Sequence, residues 1–364
     1  MSGQHITTVK ELHRYLYIAM QLEHATIPPY LVALYSIHPD TNFDATRILR
    51  TVTVEEMLHL TQAANILNAV GGEPDLTAPN FVVHYPATLP DGEKDFTVSL
   101  RPFSCAALDT FLNIERPKKA PSGEFKLVKH EARTMSLPLT PPDKDDFYYY
   151  SVGEFYAAIA EGLKFLAGQM GRKLFCGDPK RQVHPEYYYS GGGKLTVVED
   201  LQTAVQAIDR IIEQGEGFDY GILTKEGELA HDFRFEQLKL GRYYQRGNRS
   251  DIKPDEPGRP TGPEIQVDWD AVYPMKVNPR LSDFKGDPAL YAAAASFNDM
   301  YADLLRLVTK SYNGEPELLT GAVHRMFQQV RNQTLQLMRN PVPGMTGLNA
   351  GPTFEMAHAG AVTA

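Results

Sequence analysis

The sequence contains few cysteines and no long apolar run. Cys105 and Cys176 are the two cysteines among 364 residues, too few for a disulfide-stapled secreted scaffold or a zinc site built from thiolates. No stretch of about 18 apolar residues occurs, so we expect no membrane-spanning helix. Residues 1–10 are polar and lack the apolar core of a signal peptide. These absences predict a cytoplasmic protein.

Positive charge is also scarce. Lys and Arg number 36 against 45 Asp and Glu, which gives a net charge of −9. Without a basic stripe, binding to nucleic acid or to an anionic membrane is not expected. The hydrophobic share of 43% and charged share of 22% are typical of a folded globular chain, and the length allows a large core. We therefore expect a small-molecule substrate as the main partner, with homodimerisation left open.

Apolar periodicity predicts a mainly α chain. Thr8 and Glu11 form a capping box ahead of the first helix, which is predicted over residues 9–35. Pro28 and Pro29 lie inside that helix and are expected to kink or locally unwind it. Further helices are predicted at about 45–70, 106–115, 151–167, 201–214, 225–244, 288–312 and 315–339.

Stretches rich in Gly and Pro divide the chain into five parts. Residues 1–72 form a first helical hairpin, and residues 149–245 form the second half of a bundle. Between them, residues 73–148 contain β-type runs and are predicted to be a partly β insertion. A hairpin is expected at 183–198 within the second half. Residues 246–286 are predicted to be a surface linker, and residues 287–364 to be C-terminal helices and a tail that pack on the bundle.

Two Glu-x-x-His motifs carry the chemical signal, Glu56-Met-Leu-His59 and Glu228-Leu-Ala-His231. Both fall in predicted helices, where a spacing of three places the carboxylate and the imidazole on one face. Such a pair can bind one metal ion, and iron and manganese both accept mixed oxygen and nitrogen ligands. We predict that all four residues are metal ligands and take part in catalysis.

Apolar neighbours indicate which acids face the bundle interior. Glu56 shares its helical face with apolar residues, whereas Glu55 has Thr51 and Gln62 on its face and is predicted to be solvated. Glu23 lies among apolar residues, where an unpaired carboxylate is costly, and is predicted to be a metal ligand with a catalytic role. It precedes the predicted end of its helix by 12 residues, and Glu56 follows the start of the next helix by 11. At about 1.5 Å per residue, the two carboxylates meet at one level.

The order of these residues along the chain resembles the di-iron carboxylate pattern of ferritin-like four-helix bundles. In that pattern a Glu and a Glu-x-x-His are followed by a further Glu and a second Glu-x-x-His. Residues 22–30, 213–217 and 228–235 are similar, more specifically, to the ferritin-like domain of violacein- and rebeccamycin-pathway enzymes. The similarity covers roughly residues 9–71 and 151–245, with 349–354 in the tail. Enzymes with that domain couple two indole-pyruvate imines oxidatively and are far longer than this chain. The resemblance implies a ferritin-like bundle that holds two metal ions.

The sequence does not decide which further carboxylate of residues 149–245 is a metal ligand. Glu216 ends its helix just before the turn to Glu228, so the depths of the two residues agree, and Glu213 lies one turn earlier. Glu161, with Glu154 two turns away on its face, is the alternative if the last two bundle helices are continuous. Glu216 is slightly favoured, and both Glu216 and Glu161 are retained as predicted metal ligands.

Three functions are compatible with this pattern. The first is a non-haem di-iron oxidoreductase or oxygenase with two Fe2+/Fe3+ ions, or manganese, that uses O2 as co-substrate. It would oxidise, N-oxygenate or oxidatively couple a small amino-acid-derived or aromatic substrate in secondary metabolism. The second is a ferroxidase or manganese-catalase type of protein without an organic substrate. The third is a non-catalytic bundle whose insertion mediates assembly. A purely structural alternative for the acids is that Arg14, Arg47 or Arg234 satisfies them.

Overall fold

The computed structural model describes residues 6–91, 94–116, 149–188, 194–217, 221–245 and 259–356. In these ranges the fold is mainly α, and α8 continues into α9 through a π-helical turn at Met326–Val330. None of the helices in these ranges combines the length and apolarity needed to cross a membrane. The helices are α1 Val9–Ser36, α2 Phe43–Ala69, α3 Cys105–Ile114, α4 Val152–Met170, α5 Leu201–Glu216, α6 His231–Leu240, α7 Pro288–Ser311, α8 Leu318–Arg325 and α9 Arg331–Met338.

The core is a four-helix bundle of α1, α2, α4 and α5. Helices α1 and α2 form an antiparallel hairpin, α4 packs on α1, and α5 packs on α2 and α4. Helices α3 and α6 contact each other, and α6 also reaches α2 and α5. Helix α9 contacts α1 and α7. Because neighbours surround the first hairpin, α1 and α2 are buried along most of their length.

Helix α1 begins as its sequence predicts. The hydroxyl oxygen of Thr8 accepts the backbone N–H of Glu11 at 3.2 Å, and the carboxylate of Glu11 accepts the N–H of Thr8 at 2.9 Å. This reciprocal pair satisfies two of the N–H groups that every helix start leaves open.

The expected unwinding at Pro28 and Pro29 is wrong, because α1 is helical from Val9 to Ser36. A proline has no N–H, so Pro29 leaves the carbonyl of Ala25 without its intrahelical donor. The hydroxyl of Tyr85 donates to this carbonyl at 2.8 Å. A side chain from the segment after α2 therefore replaces the missing helical hydrogen bond.

The partly β character predicted for residues 73–148 is also wrong where the structure describes them. The described residues of this segment contain α3 and an isolated antiparallel bridge between Ala87 and Val98, without a sheet. Phe81, Val82, Val83 and Tyr85 are buried, and Gln21 of α1 donates to the carbonyls of Asn80 and Phe81. A helix side chain thus binds these carbonyls in place of a neighbouring strand. Residues 117–148, and 246–258 of the predicted linker, lie outside the described ranges.

The hairpin predicted at 183–198 is absent from the described part of that segment, and its glycines 191–193 lie outside it. Short 3-10 turns occur at Pro179–Arg181 and Pro185–Tyr187. The two ends are joined through side chains instead: Gln182 donates to the carbonyl of Val198 at 2.7 Å and accepts its N–H at 2.8 Å. Asn65 of α2 similarly binds the backbone of Val183 and Thr196.

The helix predicted over 225–244 begins six residues late, at His231. Residues 222–230 form a tight turn in which Thr224 N donates to Glu228 O at 2.8 Å and Ala230 N donates to Ile222 O at 3.0 Å. Gly227 adopts a positive φ of 83°, a conformation that glycine adopts without strain. The turn therefore takes Glu228 off the helix, and the second Glu-x-x-His does not share one helical face.

Candidate metal centre

Five buried side chains converge where the bundle meets α3 and α6. Glu23 comes from α1, and Glu56 and His59 come from α2. Glu115 is the C-terminal cap of α3, and His231 is the first residue of α6. Two helix interiors and two helix ends therefore supply the cluster.

The five residues form two groups that share Glu56. One group is Glu23, Glu56 and His59, and the other is Glu56, Glu115 and His231. Within each group, one ligand atom from every residue lies within 4.8 Å of the others. Such spacing is compatible with two metal ions that share one carboxylate, and the mixed carboxylate and imidazole donors suit iron or manganese.

The imidazole Nδ1 atoms mark the inner side of each group. His59 Nδ1 lies 3.6 Å from Glu23 Oε2 and 3.6 Å from Glu56 Oε1. His231 Nδ1 lies 2.9 Å from the same Glu56 Oε1 and 3.4 Å from Glu115 Oε2. Glu56 Oε1 and His231 Nδ1 are both buried and make no hydrogen bond despite this distance. A cation between these electron-rich atoms would satisfy both.

The outer nitrogens of both imidazoles face hydrogen-bond acceptors. His231 Nε2 lies 2.8 Å from Glu55 Oε2, and His59 Nε2 lies 3.1 Å from Gln214 Oε1. Since a carboxylate and an amide oxygen can only accept, each Nε2 carries the proton in the neutral ring. The Nδ1 lone pairs are then directed at the cluster, as metal coordination requires.

Hydroxyl groups hold the outer oxygens of the three acids. Tyr156 donates to Glu23 Oε1 at 2.5 Å, and Tyr30 donates to Glu115 Oε1 at 2.6 Å. Thr26 donates to Glu56 Oε2 at 3.1 Å. Each carboxylate is therefore fixed by one oxygen and presents the other to the histidines.

The cluster carries more negative charge than its surroundings compensate. In the described part of the chain, Glu23, Glu56 and Glu115 form ion pairs with histidines and with no Lys or Arg. Arg234 pairs instead with Glu55 at 2.9 Å. The hypothesis that arginines neutralise the buried acids therefore does not describe these three acids. Buried unpaired carboxylates are costly, and bound cations are one way to compensate them.

The pKa values reflect this excess. Burial raises the pKa of Glu56 to about 8, and the charge of Glu115 adds to the effect. Burial alone would lower the pKa of His231, but the charge of Glu115 and contacts with Glu115, Glu55 and Glu56 outweigh it and raise that pKa well above its ordinary value. The metal-free cluster therefore retains protons near neutral pH, and a divalent cation would displace them on binding.

Two predicted ligands lie away from the cluster. The side chain of Glu228 is 54% exposed and lies 3.8 Å from Arg234. The side chain of Glu161 is 69% exposed and pairs with Lys164 at 2.8 Å. Glu228 is displaced because its turn precedes α6, and Glu161 because it lies on the solvent face of α4. The structure thus brings together Glu23, Glu56, His59 and His231 of the predicted set, but neither of these acids.

The remaining acids considered for the open position have other partners. Glu216 is buried and lines the cavity beside the cluster, where it accepts the N–H of Gly153 at 2.9 Å. Glu213 forms an ion pair with Lys225. Glu154 accepts the N–H of Tyr150 at 3.1 Å. Among them, Glu216 is the one that borders the cluster.

Sequence reasoning missed Glu115 and misplaced Glu55. Glu115 follows the short helix correctly expected near 106–115, and it lies four residues after buried Phe111, on the same apolar face. The spacing of four residues from Phe111 could have indicated that Glu115 faces the core. Glu55 is buried instead of solvated, because α6 places His231 and Arg234 against its face of α2.

Two cavities adjoin this region. A small one of about 20 Å³ is lined by the acids of the cluster together with Arg116, Gly153 and Glu216. A larger groove of about 1020 Å³ lies between α4, α5 and the turn before α6. Gln214 lines this groove and also contacts His59, so it lies between the groove and the cluster.

Comparisons with known proteins identify the family of this chain. A sequence model of the family described as "Ferritin-like" matches residues 16–240. Over 335 residues the chain is 28% identical to dichlorochromopyrrolate synthase of Lentzea aerocolonigenes; the match covers 84% of this chain but 29% of that protein. The chain therefore spans less than a third of the length of this curated relative.

A solved structure shows the same fold. A ferritin-like protein from Caulobacter vibrioides matches with a TM-score of 0.61 and 22% sequence identity, over 96% of this chain and 100% of that one. At this identity the likeness concerns the fold alone.

Proposed function

The chain belongs to the ferritin-like family, and we propose that it is a di-iron oxidoreductase that uses O2 to oxidise a small organic substrate. The observation that carries this proposal is the convergence of three buried acids and two imidazoles in two groups that share Glu56. Their Nδ1 atoms and inner carboxylate oxygens face one another, and within the described ranges these three acids form ion pairs with histidines only.

The residues divide naturally between two metal positions. Glu23 and His59 would hold one ion, Glu115 and His231 would hold the other, and Glu56 would contact both. Glu216 lines the same cavity and is retained as an additional acid near the site. Manganese is compatible with the same donors, and iron is proposed by analogy with the di-iron carboxylate sites of ferritin-like bundles.

Two ferrous ions held by these residues would supply electrons that activate O2, and O2 would be the oxidant of the substrate. The protein's part is to hold the ligands and exclude water. Burial raises the pKa values of Tyr30 and Tyr156, and the neighbouring acids, first Glu115 and Glu23 respectively, raise them further. Both hydroxyls therefore remain protonated and continue to donate to Glu115 and Glu23, which keeps those carboxylates aligned.

The substrate class rests on the relatives and on the available space. The relative from Lentzea aerocolonigenes is named for the synthesis of dichlorochromopyrrolate. By analogy, a small amino-acid-derived or aromatic molecule of secondary metabolism is proposed here, to be oxidised, N-oxygenated or oxidatively coupled. The groove of about 1020 Å³ has room for such a molecule, and Gln214 connects its wall to His59.

A second function is favoured by one observation. The cavity at the cluster is only about 20 Å³, a size that admits O2 or peroxide but no amino-acid-derived molecule without movement of the walls. A ferroxidase or manganese-catalase type of reaction, without an organic substrate, uses such a cavity as it stands.

Metal content and O2 reactivity test the proposal. Protein expressed with added iron should contain close to two iron ions per chain. Anaerobic Fe(II) loading followed by O2 should give a new near-ultraviolet or visible absorption and consume O2. Substrate-dependent O2 consumption would separate the oxidoreductase from the ferroxidase, and peroxide disproportionation would indicate the catalase type.

A matched pair of variants tests the ligand assignment. His231→Ala should reduce metal content and abolish metal-dependent activity, while Glu161→Ala, which alters an exposed acid of the same bundle, should retain both. Unchanged metal content in His231→Ala would refute the proposed centre.

A further inference from the structure

The two proposed metal positions have matching ligands. Each position has one carboxylate of its own, one imidazole and a share of Glu56. In each, the private carboxylate accepts a tyrosine hydroxyl, at 2.5 Å for Glu23 and 2.6 Å for Glu115. The direct ligands alone would therefore give two similar positions.

The partners of the two imidazoles differ. His231 Nε2 lies 2.8 Å from the carboxylate of Glu55, whereas His59 Nε2 lies 3.1 Å from the amide oxygen of Gln214. A hydrogen bond to a charged acceptor is shorter and roughly twice as strong as one between neutral groups. The measured distances follow the same order.

Glu55 is held as a carboxylate by its surroundings. Arg234 Nη1 lies 2.9 Å from the same Oε2 atom that contacts His231. The side chain of Glu55 is 3% exposed, and that of Arg234 is 12% exposed. Arg234 is fixed in turn, because its Nε donates to the carbonyl of Leu229 at 2.5 Å. The chain thus places a buried ion pair directly behind one imidazole.

A carboxylate behind a metal-bound histidine raises the basicity of the ligating nitrogen and fixes the ring. We propose that Glu55 is a positioning residue that acts through His231 and makes the two metal positions inequivalent. The position formed by Glu56, Glu115 and His231 binds a divalent cation more tightly and fills first. This inference rests on the proposed two-metal centre.

Binding of Mn2+ without O2 tests the inference independently of turnover. Electron paramagnetic resonance of the free ion measures how much Mn2+ remains unbound. The wild-type chain should bind two ions in separable steps. His59→Ala should retain the tighter position, and His231→Ala the weaker one.

The decisive comparison combines Glu55→Gln with His59→Ala in one variant and with His231→Ala in another. In His59→Ala, where the His231 position remains, Glu55→Gln should weaken Mn2+ binding about 10–100-fold. In His231→Ala, where Glu55 has no imidazole through which to act, the same substitution should weaken binding by a much smaller factor than it does in His59→Ala. Glu55→Asp, which keeps the charge, should recover part of the loss in the His59→Ala background.

The outcomes separate the inference from the function on which it rests. Equal losses in the two backgrounds, or no loss in either, would overturn the role of Glu55 while leaving a two-metal centre in place. Absence of tight Mn2+ binding by the wild-type chain would overturn both. If Glu55→Gln does not fold, the Mn2+ affinities of the wild-type chain and the two histidine variants test the inference. If the affinities of His59→Ala and His231→Ala for Mn2+ differ by less than about threefold, the two metal positions are equivalent and the inference is refuted.

Discussion

Removing the charge of Glu56 should stabilise the metal-free protein. Glu56 is 3% exposed, and burial, together with the charge of Glu115, raises its pKa from 4.5 to about 8. In the unfolded chain the same carboxyl ionises near 4.5. Between these values the folded state binds more protons than the unfolded state, so stability falls as the pH rises.

The size of the effect follows from the pKa. The interval from the ordinary pKa of 4.5 to pH 7 is 2.5 pH units. Over each unit the free energy of unfolding falls by about 1.36 kcal/mol. Glu56→Gln, which cannot ionise, should therefore raise the free energy of unfolding by up to about 3 kcal/mol at pH 7 and by almost nothing near pH 4.5. The amide can still accept the hydroxyl hydrogen bond of Thr26.

Urea unfolding in the presence of a chelator, followed by circular dichroism at several pH values, measures this difference. Glu161→Gln, at an exposed position, is the control and should match the wild type throughout. Added metal should reverse the order, because a ligand present at 100 times its Kd stabilises the wild type by about 2.7 kcal/mol per site. A variant less stable than the wild type at pH 7, or a difference independent of pH, would refute the reasoning.

Three further outcomes are expected. Glu115→Ala should lower the metal content from about two ions per chain to about one, measured by elemental analysis, whereas Glu161→Ala should leave it unchanged. Tyr156→Phe removes a hydrogen bond to the α1 carboxylate and should lower the free energy of unfolding by about 2 kcal/mol in denaturant titrations, with metal content retained. Gly153→Ala would place a Cβ 2.3 Å from the carboxylate of Glu216, which would have to move and lose the N–H of Gly153, at a cost of about 1 kcal/mol. In Gly215→Ala, also inside a helix, the new Cβ lies 3.7 Å from its nearest neighbour, so the thermal midpoint of this control should not fall below that of the wild type.

The part of the site formed by α1 and α2 could be predicted, because it depends on sequence patterns within each helix. Glu23, Glu56 and His59 lie in the interiors of two long helices, where apolar periodicity fixes the direction of each side chain. The depth argument for Glu23 and Glu56 holds because α1 and α2 pair as an antiparallel hairpin. Both acids belong to the cluster.

The rest of the site depends on helix ends, which sequence patterns locate less well. Glu115 caps α3, and His231 begins α6 after a turn with Gly227 in a left-handed conformation. The motif spacing of Glu228 and His231 predicted a shared helical face that this turn removes. Glu55 was misassigned because α6 buries it, and His231 of that helix lies 176 residues away in the chain.

Pro29 in α1 links the stability of the bundle to the chain between α2 and α3. Pro29 cannot donate to the carbonyl of Ala25, and the donor that replaces it, Tyr85, comes from that connecting segment. A minimal bundle made by trimming this connection would leave a mid-helix carbonyl unsatisfied two residues from Glu23, at a cost of about 1–3 kcal/mol if water cannot reach it. A shortened version of the protein should therefore be more stable if it keeps Tyr85, or if a residue with an N–H replaces Pro29.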